Sequence, residues 1–194
     1  MLENTCNFAP QLLLMRKLNM DELNRLSVEK FNELDKLPVI CILDNIRSQH
    51  NIGSIFRTSD AFRIRELYLC GITASPPNRE ISKSALGATE SVKWQYFAET
   101  SMAIDQLRQA GYKIIAVEQA VGSIILEEYE PDASSPVALI FGNEVSGVSD
   151  NVMEIVDGCI EIPQFGTKHS FNVSVTAALV LYHFHLKLKK IFHY

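Results

Sequence analysis

The chain has 194 residues, 47% of them hydrophobic and 21% charged, with a formal net charge of −5. That length and apolar fraction suit one domain with a sizeable core and exclude a disordered or low-complexity chain. The acidic balance argues against nucleic-acid binding by the whole surface and leaves room for a local basic patch.

No window reaches the length of a membrane span, and no basic segment followed by an apolar run marks a secretory leader. Cys6, Cys41, Cys70 and Cys159 form no CxxC pair, and three of them sit in apolar, strand-like runs. There cysteine acts as a small hydrophobe, so a reducing, cytoplasmic setting fits and a structural zinc site does not.

Met1–Leu18 has no clear period. Asn19 followed by Glu22 reads as a capping box, and Leu23, Leu26, Phe31 and Leu34 then give a helical stripe that ends at Pro38. Residues 1–38 are therefore expected to form an N-terminal helical extension, with the domain proper over 39–194. Val39–Leu43 is a continuous apolar strand of the kind buried on both faces. A polar loop over 44–51 leads into a helix over 52–62, with Asn51 as its expected N-cap. Strands follow at 66–70 and 92–97, separated by a Pro76-Pro77 loop and a short helix over 82–88. Thr100 is expected to cap a helix that Gly111 ends. Lys113–Val117 and Val137–Phe141 are further strands, with an acidic loop over 127–132 between them. A glycine-containing loop over 142–149 opens a short helix to about 156. The last strand lies at 160–162. It leads through an irregular Pro163–Ser170 loop to a long C-terminal helix from about Asn172. In that position Ser170 reads on local grounds as a simple helix cap.

Strands alternating with helices predict an α/β domain with a mainly parallel sheet flanked by helices. Ligands of such sheets sit beyond the carboxyl ends of the strands. Three polar loops occupy that place. The first, LDNIRSQHNIGSIFRT, brings Arg47, His50 and Arg57 to one sheet edge, where forked guanidinium groups suit phosphate. Gly53 allows something to approach the helix there. The second, FGNEVSG, has neither the GxGxxG order of a dinucleotide fingerprint nor the GKS of a P-loop. The third offers His169, Ser170 and Asn172 without a nucleophile elbow. His183 and His185, two apart on a helix, do not converge on a metal.

Taken together and in this order, the loops resemble the three motifs of the SpoU/TrmH family of SPOUT-class RNA 2'-O-ribose methyltransferases. The matched positions are Asn51, Gly53 and Arg57, then Phe141 to Glu144 with Gly147, then Ile162, Pro163, Ser170, Asn172, Val173 and Ser174. Phe171 and Gln164 stand where leucine and methionine are usual. The resemblance implies a SPOUT-like fold with a C-terminal trefoil knot, S-adenosylmethionine as methyl donor, a tRNA or rRNA substrate and a homodimer; the composition and spacings above add the expectation of no membrane or metal partner. It implies catalytic roles for Arg57, Asn51, Glu144, Ser170 and Asn172. It also implies a donor site at Gly142, Asn143, Gly147, Ile162, Pro163, Gln164 and Phe171. Val117 and Glu118 join that site on topology alone. RNA contacts are expected from Arg47, His50, Arg57, Arg63 and Arg65, which are close together in sequence. Two other classes compete: an RNA-binding protein of the same fold without catalysis, and a small-molecule enzyme using a nucleotide.

Overall fold

The computed structural model describes residues 16–19 and 21–189. Cys6 and most of the stretch Met1–Leu18 lie outside them. Seven strands form one parallel sheet: β1 (Leu37–Asp44), β2 (Ile64–Cys70), β3 (Lys93–Phe97), β4 (Lys113–Val117), β5 (Ile124–Ile125), β6 (Val137–Phe141) and β7 (Gly158–Glu161). Their order is β3-β2-β1-β6-β4-β7-β5, and every recorded pairing is parallel.

The central strands are apolar on both faces because both faces are covered. Val39, Cys41 and Leu43 of β1 pack with α2 (Gln49–Ala61) and α7 (Val173–Leu188). Ile40 and Ile42 face the other way, toward α5 (Thr100–Gln109) and α6 (Asp150–Met153). Every residue of β6, VALIF, is buried. Buried Cys41 and Cys70 have their thiols pushed up by desolvation, Cys70 to about 12, so neither is a nucleophile.

Several local expectations need correction. The Asn19–Glu22 capping box forms reciprocally, at 2.8 and 2.9 Å, but it closes only a 3-10 turn over Asp21–Leu23. The helix proper is α1 (Val28–Glu33), capped by Ser27, and of the proposed stripe only Phe31 is buried. Asn51 is not the cap of α2. Ser48 is, its Oγ accepting from the Asn51 N–H at 3.3 Å. Thr100 does not cap α5. Its hydroxyl donates instead to buried Asp44 Oδ1 at 2.6 Å. The helix expected over 82–88 is displaced: α3 (Arg79–Ala85) is capped by Asn78, and α4 (Ala88–Ser91) follows it. The 127–132 region is preceded by β5, a strand not foreseen.

Candidate active site

A cleft of about 720 Å³ opens beyond the carboxyl ends of β4, β6 and β7. It lies within the range of sites for small organic ligands. Its floor is apolar, from Val117, Phe141, Val148 and Ile162, and its rim is polar. Eight of the nine expected donor-site residues line it: Val117, Glu118, Gly142, Asn143, Gly147, Ile162, Gln164 and Phe171. Pro163 does not.

Two glycines in the 142–149 loop are there for space. A Cβ on Gly142 would fall 2.1 Å from the Val148 nitrogen, because the two limbs of the loop touch. Gly147 has φ +70°, and a Cβ there would fall 2.2 Å from Glu118 Oε2. The Glu118 carboxylate accepts from the N–H groups of Gln119 at 2.9 Å and Val148 at 3.1 Å, tying β4 to this loop. The Asn143 side chain ties its own loop to the 44–51 loop. Its amide donates to the Asn45 carbonyl at 2.6 Å and its oxygen accepts from Val145 N–H at 2.8 Å.

The three loops are knitted by one hydrogen-bonded chain. The Asn172 amide donates to Asn51 Oδ1 at 3.1 Å, and the Asn51 amide donates to Glu144 Oε1 at 2.9 Å. Glu144 also accepts from the backbone N–H groups of Arg47 at 2.9 Å and Ser48 at 3.0 Å, at the positive end of α2. Desolvation pushes the Glu144 carboxyl up, but the bonds from Arg47, Asn51, its own N–H and Ser48 together outweigh it. The result is a pKa below the ordinary carboxylate value. Asn172 has a second task. Its Oδ1 accepts from Ser174 N–H at 2.8 Å and caps α7, so Ser170 is not the cap. Ser170 is exposed at the cleft rim.

Arg57 lies on an exposed part of α2, outside the cleft lining. Arg47 and His50 flank the start of α2, and His50 Nε2 faces Glu80 Oε2 at 3.6 Å. Arg63 and Arg65 stand apart from them. They follow the far end of α2, roughly 20 Å along its axis for a thirteen-residue helix, and Arg65 donates to the Tyr112 hydroxyl beside the start of β4. Gly53 is approached not by a ligand but by α3: a Cβ there would lie 2.3 Å from the Ile81 carbonyl oxygen.

Sequence reasoning missed Gln119. Its amide donates to the His169 carbonyl at 2.7 Å, holding the 163–170 loop over the cleft. No local signal marks such a residue, since its partner is fifty positions away. Glu118, Glu144, Asp150 and Glu161 line the cleft, and no lysine or arginine does. This charge pattern suits a cationic ligand and opposes a di- or triphosphate. Among the described residues, no group of three His, Cys, Asp or Glu is placed to hold a metal. No helix among them is long and apolar enough to cross a membrane.

The profile of the SpoU rRNA Methylase family matches residues 38–182. The chain belongs to that family. Among its SpoU relatives, a tRNA (guanosine(18)-2'-O)-methyltransferase of Aquifex aeolicus is 33% identical over 74% of this chain and 67% of its own length. A 23S rRNA (guanosine-2'-O-)-methyltransferase of Neisseria meningitidis is 32% identical over 76% of this chain. The match spans 58% of that enzyme's length, so the chain covers under two thirds of it. The SpoU fold is shared with solved structures. An A. aeolicus TrmH/SpoU tRNA modifying enzyme has a TM-score of 0.75 at 26% identity, covering 84% of this chain and 82% of that one. An AdoMet-bound rRNA methyltransferase from Sinorhizobium meliloti has a TM-score of 0.72 at 27% identity, covering 84% of this chain and 62% of that one.

Proposed function

We propose that the protein methylates a ribose 2'-hydroxyl of tRNA or rRNA, with S-adenosylmethionine as donor. The observation that carries this is the Asn172–Asn51–Glu144 chain, which joins all three family motifs at the rim of one carboxylate-lined cleft. When bound, S-adenosylmethionine supplies a methyl group on a positively charged sulfur. The residues present fit it: an apolar floor for an adenine ring and carboxylates of Glu118, Asp150 and Glu161 for the cationic part.

The chain's own groups must then orient the acceptor hydroxyl and assist loss of its proton. Arg57 is assigned to the ribose and its adjacent phosphate. Its guanidinium keeps its proton to very high pH, so it works as a forked clamp on developing negative charge rather than as a base. Asn51, Glu144 and Asn172 hold the wall that orients the acceptor, and Ser170 presents its hydroxyl at the same rim. Arg47 and His50 belong to the RNA-facing edge. Arg63 and Arg65 are left as peripheral cations.

A homodimer is part of this reading. Val175, Leu179, Tyr182 and Leu186 form an exposed apolar stripe on α7, between 41% and 52% accessible. Seating a second copy there buries it. Because Arg57 lies outside the cleft of its own subunit, a site shared across the dimer is the arrangement that brings it to the ribose. The C-terminal trefoil knot, a cytoplasmic setting and the division at residue 38 are carried with this reading.

The test is methyl incorporation from labelled S-adenosylmethionine into unmodified tRNA and rRNA pools. Wild type should label one pool at the ribose 2'-oxygen, and Arg57→Ala should not, while both proteins gain thermal stability from the donor. Stabilisation by NAD or ATP but not by S-adenosylmethionine would overturn the proposal.

A further inference from the structure

Charge is divided unevenly along this chain, and the division recurs in space except where Arg108 pairs with Asp157 at 3.3 Å and Lys187 pairs with Glu130. Residues 114–167 hold ten of the 23 Asp and Glu side chains and none of the 18 Lys and Arg. The rest of the chain sets all 18 cations against 13 carboxylates and is net positive. The acidic stretch supplies the central β6 and nearly all of the half-sheet β4-β7-β5. Exposed Glu127, Glu128 and Asp132 follow β5 at its outer edge, beside Glu130, which pairs with Lys187 of α7.

The other half, β1-β2-β3 with α2 and α3, carries exposed Arg47, Arg57, Arg79 and Lys83. Gly53 lets α3 lie against the start of α2, so that Glu80 comes within 3.6 Å of His50. Arg79 and Lys83 therefore stand beside the Arg47–His50 turn. Glu80 opposes part of this charge, pairing with Lys83 at 2.7 Å. The side chains of Arg47, Arg57 and Arg79 make no ion pair or hydrogen bond with another described residue. The cleft lies in the acidic half, next to the boundary that the bond from the Arg47 N–H to Glu144 crosses. Its carboxylates suit a cationic donor, and the unpaired arginines beyond its rim suit a polyanion.

We propose that α3 is part of the RNA-binding surface, its Arg79 and Lys83 carrying backbone phosphates together with Arg47. The acidic half repels the same backbone, so RNA reaches the cleft from the α2–α3 side only. The identity of the polyanion rests on the methyltransferase reading; the side of approach does not rest on any catalytic residue.

The experiment measures binding of size-fractionated tRNA and rRNA, taken from cells lacking the gene, at several salt concentrations. Arg79→Ala/Lys83→Ala should weaken binding by roughly fivefold per lost phosphate contact at about 0.1 M salt, and lower the salt slope by about 0.7 for each. Donor affinity and melting temperature should stay at wild-type values. Glu127→Gln/Glu128→Gln should not weaken RNA binding. A wild-type affinity and slope in the α3 variant, or weaker binding after neutralising the β5 edge, overturns the proposal. If the wild type methylates RNA while the α3 variant binds it unchanged, this surface alone falls. If the wild type neither binds nor methylates RNA, the methyltransferase reading falls with it.

Discussion

Asn51→Asp puts the hydrogen-bonded chain to its most direct test. The substitution replaces an amide nitrogen, 2.9 Å from Glu144 Oε1, by a second carboxylate oxygen. Two unit charges at that separation repel by about 6 kcal/mol at an effective dielectric near 20. Water at the rim makes this a ceiling, and the pair escapes it by sharing one proton. If that raises the pair's apparent pKa by about two units, the loss in stability above it is about 2–3 kcal/mol. For a domain of this size, that lowers the melting temperature by roughly 5–10 °C.

The sign follows from proton binding. The variant's folded pair holds a proton that the unfolded chain has released, so its stability falls as pH rises and recovers as pH falls. Wild-type Glu144 is shifted the other way, below the ordinary value, and keeps its charge across the same window. The deficit should therefore be constant above about pH 6.5 and shrink toward wild type as pH falls from about 6.5 to about 4.5, the span between the raised and the ordinary carboxylate pKa, whereas Asn51→Ala should show a loss that changes little over that span. A deficit in Asn51→Asp that stays constant over that range refutes the contact, and with it the amide orientation on which the chain depends.

Two other substitutions probe the donor cleft and the core. Gly147→Ala strains a backbone at φ +70° and drives a methyl against Glu118 Oε2, so donor affinity measured by calorimetry should fall by about tenfold or more; wild-type affinity would show that the loop simply moves. Phe184→Ala empties a fully buried site packed on Tyr129 at 5.7 Å and should cost about 3–5 kcal/mol by denaturant unfolding; a loss under about 1 kcal/mol would contradict the packing.

What the sequence made legible follows from where the physics is local. Lys113–Val117 and Val137–Phe141 were readable to the residue, because strands covered on both faces need continuous apolar runs. β5 was not readable, since two exposed isoleucines at a sheet edge leave no pattern. The cap of α2 was misassigned because Ser48 and Asn51 are both capping residues within one turn. What separates them is Glu144, a residue 93 positions from Asn51 that occupies the Arg47 and Ser48 N–H groups. Thr100 failed as a cap for a similar reason, as Asp44 takes its hydroxyl from across the fold. Five basic residues near the first motif are close in sequence, yet the length of α2 separates Arg63 and Arg65 from Arg47 and His50. The close approach expected at Gly53 is there, but what approaches is a neighbouring helix.

Asn172 is the residue where fold and site are least separable, and its chemistry allows them to be pulled apart. Its oxygen caps α7 through Ser174 N–H, while its nitrogen donates to Asn51. Asn172→Ala removes both bonds and should lose about 0.5–2 kcal/mol from the cap along with the link to the site. Asn172→Asp keeps an acceptor at the cap, and its charge is favourable at a helix N-terminus, so α7 should retain its stability. The donor to Asn51 is gone, however, and an oxygen now faces an oxygen. Asn51 loses one of the two bonds that fix its amide. A displacement of about 1 Å in an orienting group costs on the order of 100-fold in turnover. The expected pattern is thus a near-wild-type melting temperature with strongly reduced single-turnover methylation for Asn172→Asp, and loss of both for Asn172→Ala. Equal losses of stability in the two variants would mean that the cap is not what Asn172 contributes to α7. Full turnover in Asn172→Asp would mean that the bond to Asn51 positions nothing the reaction needs.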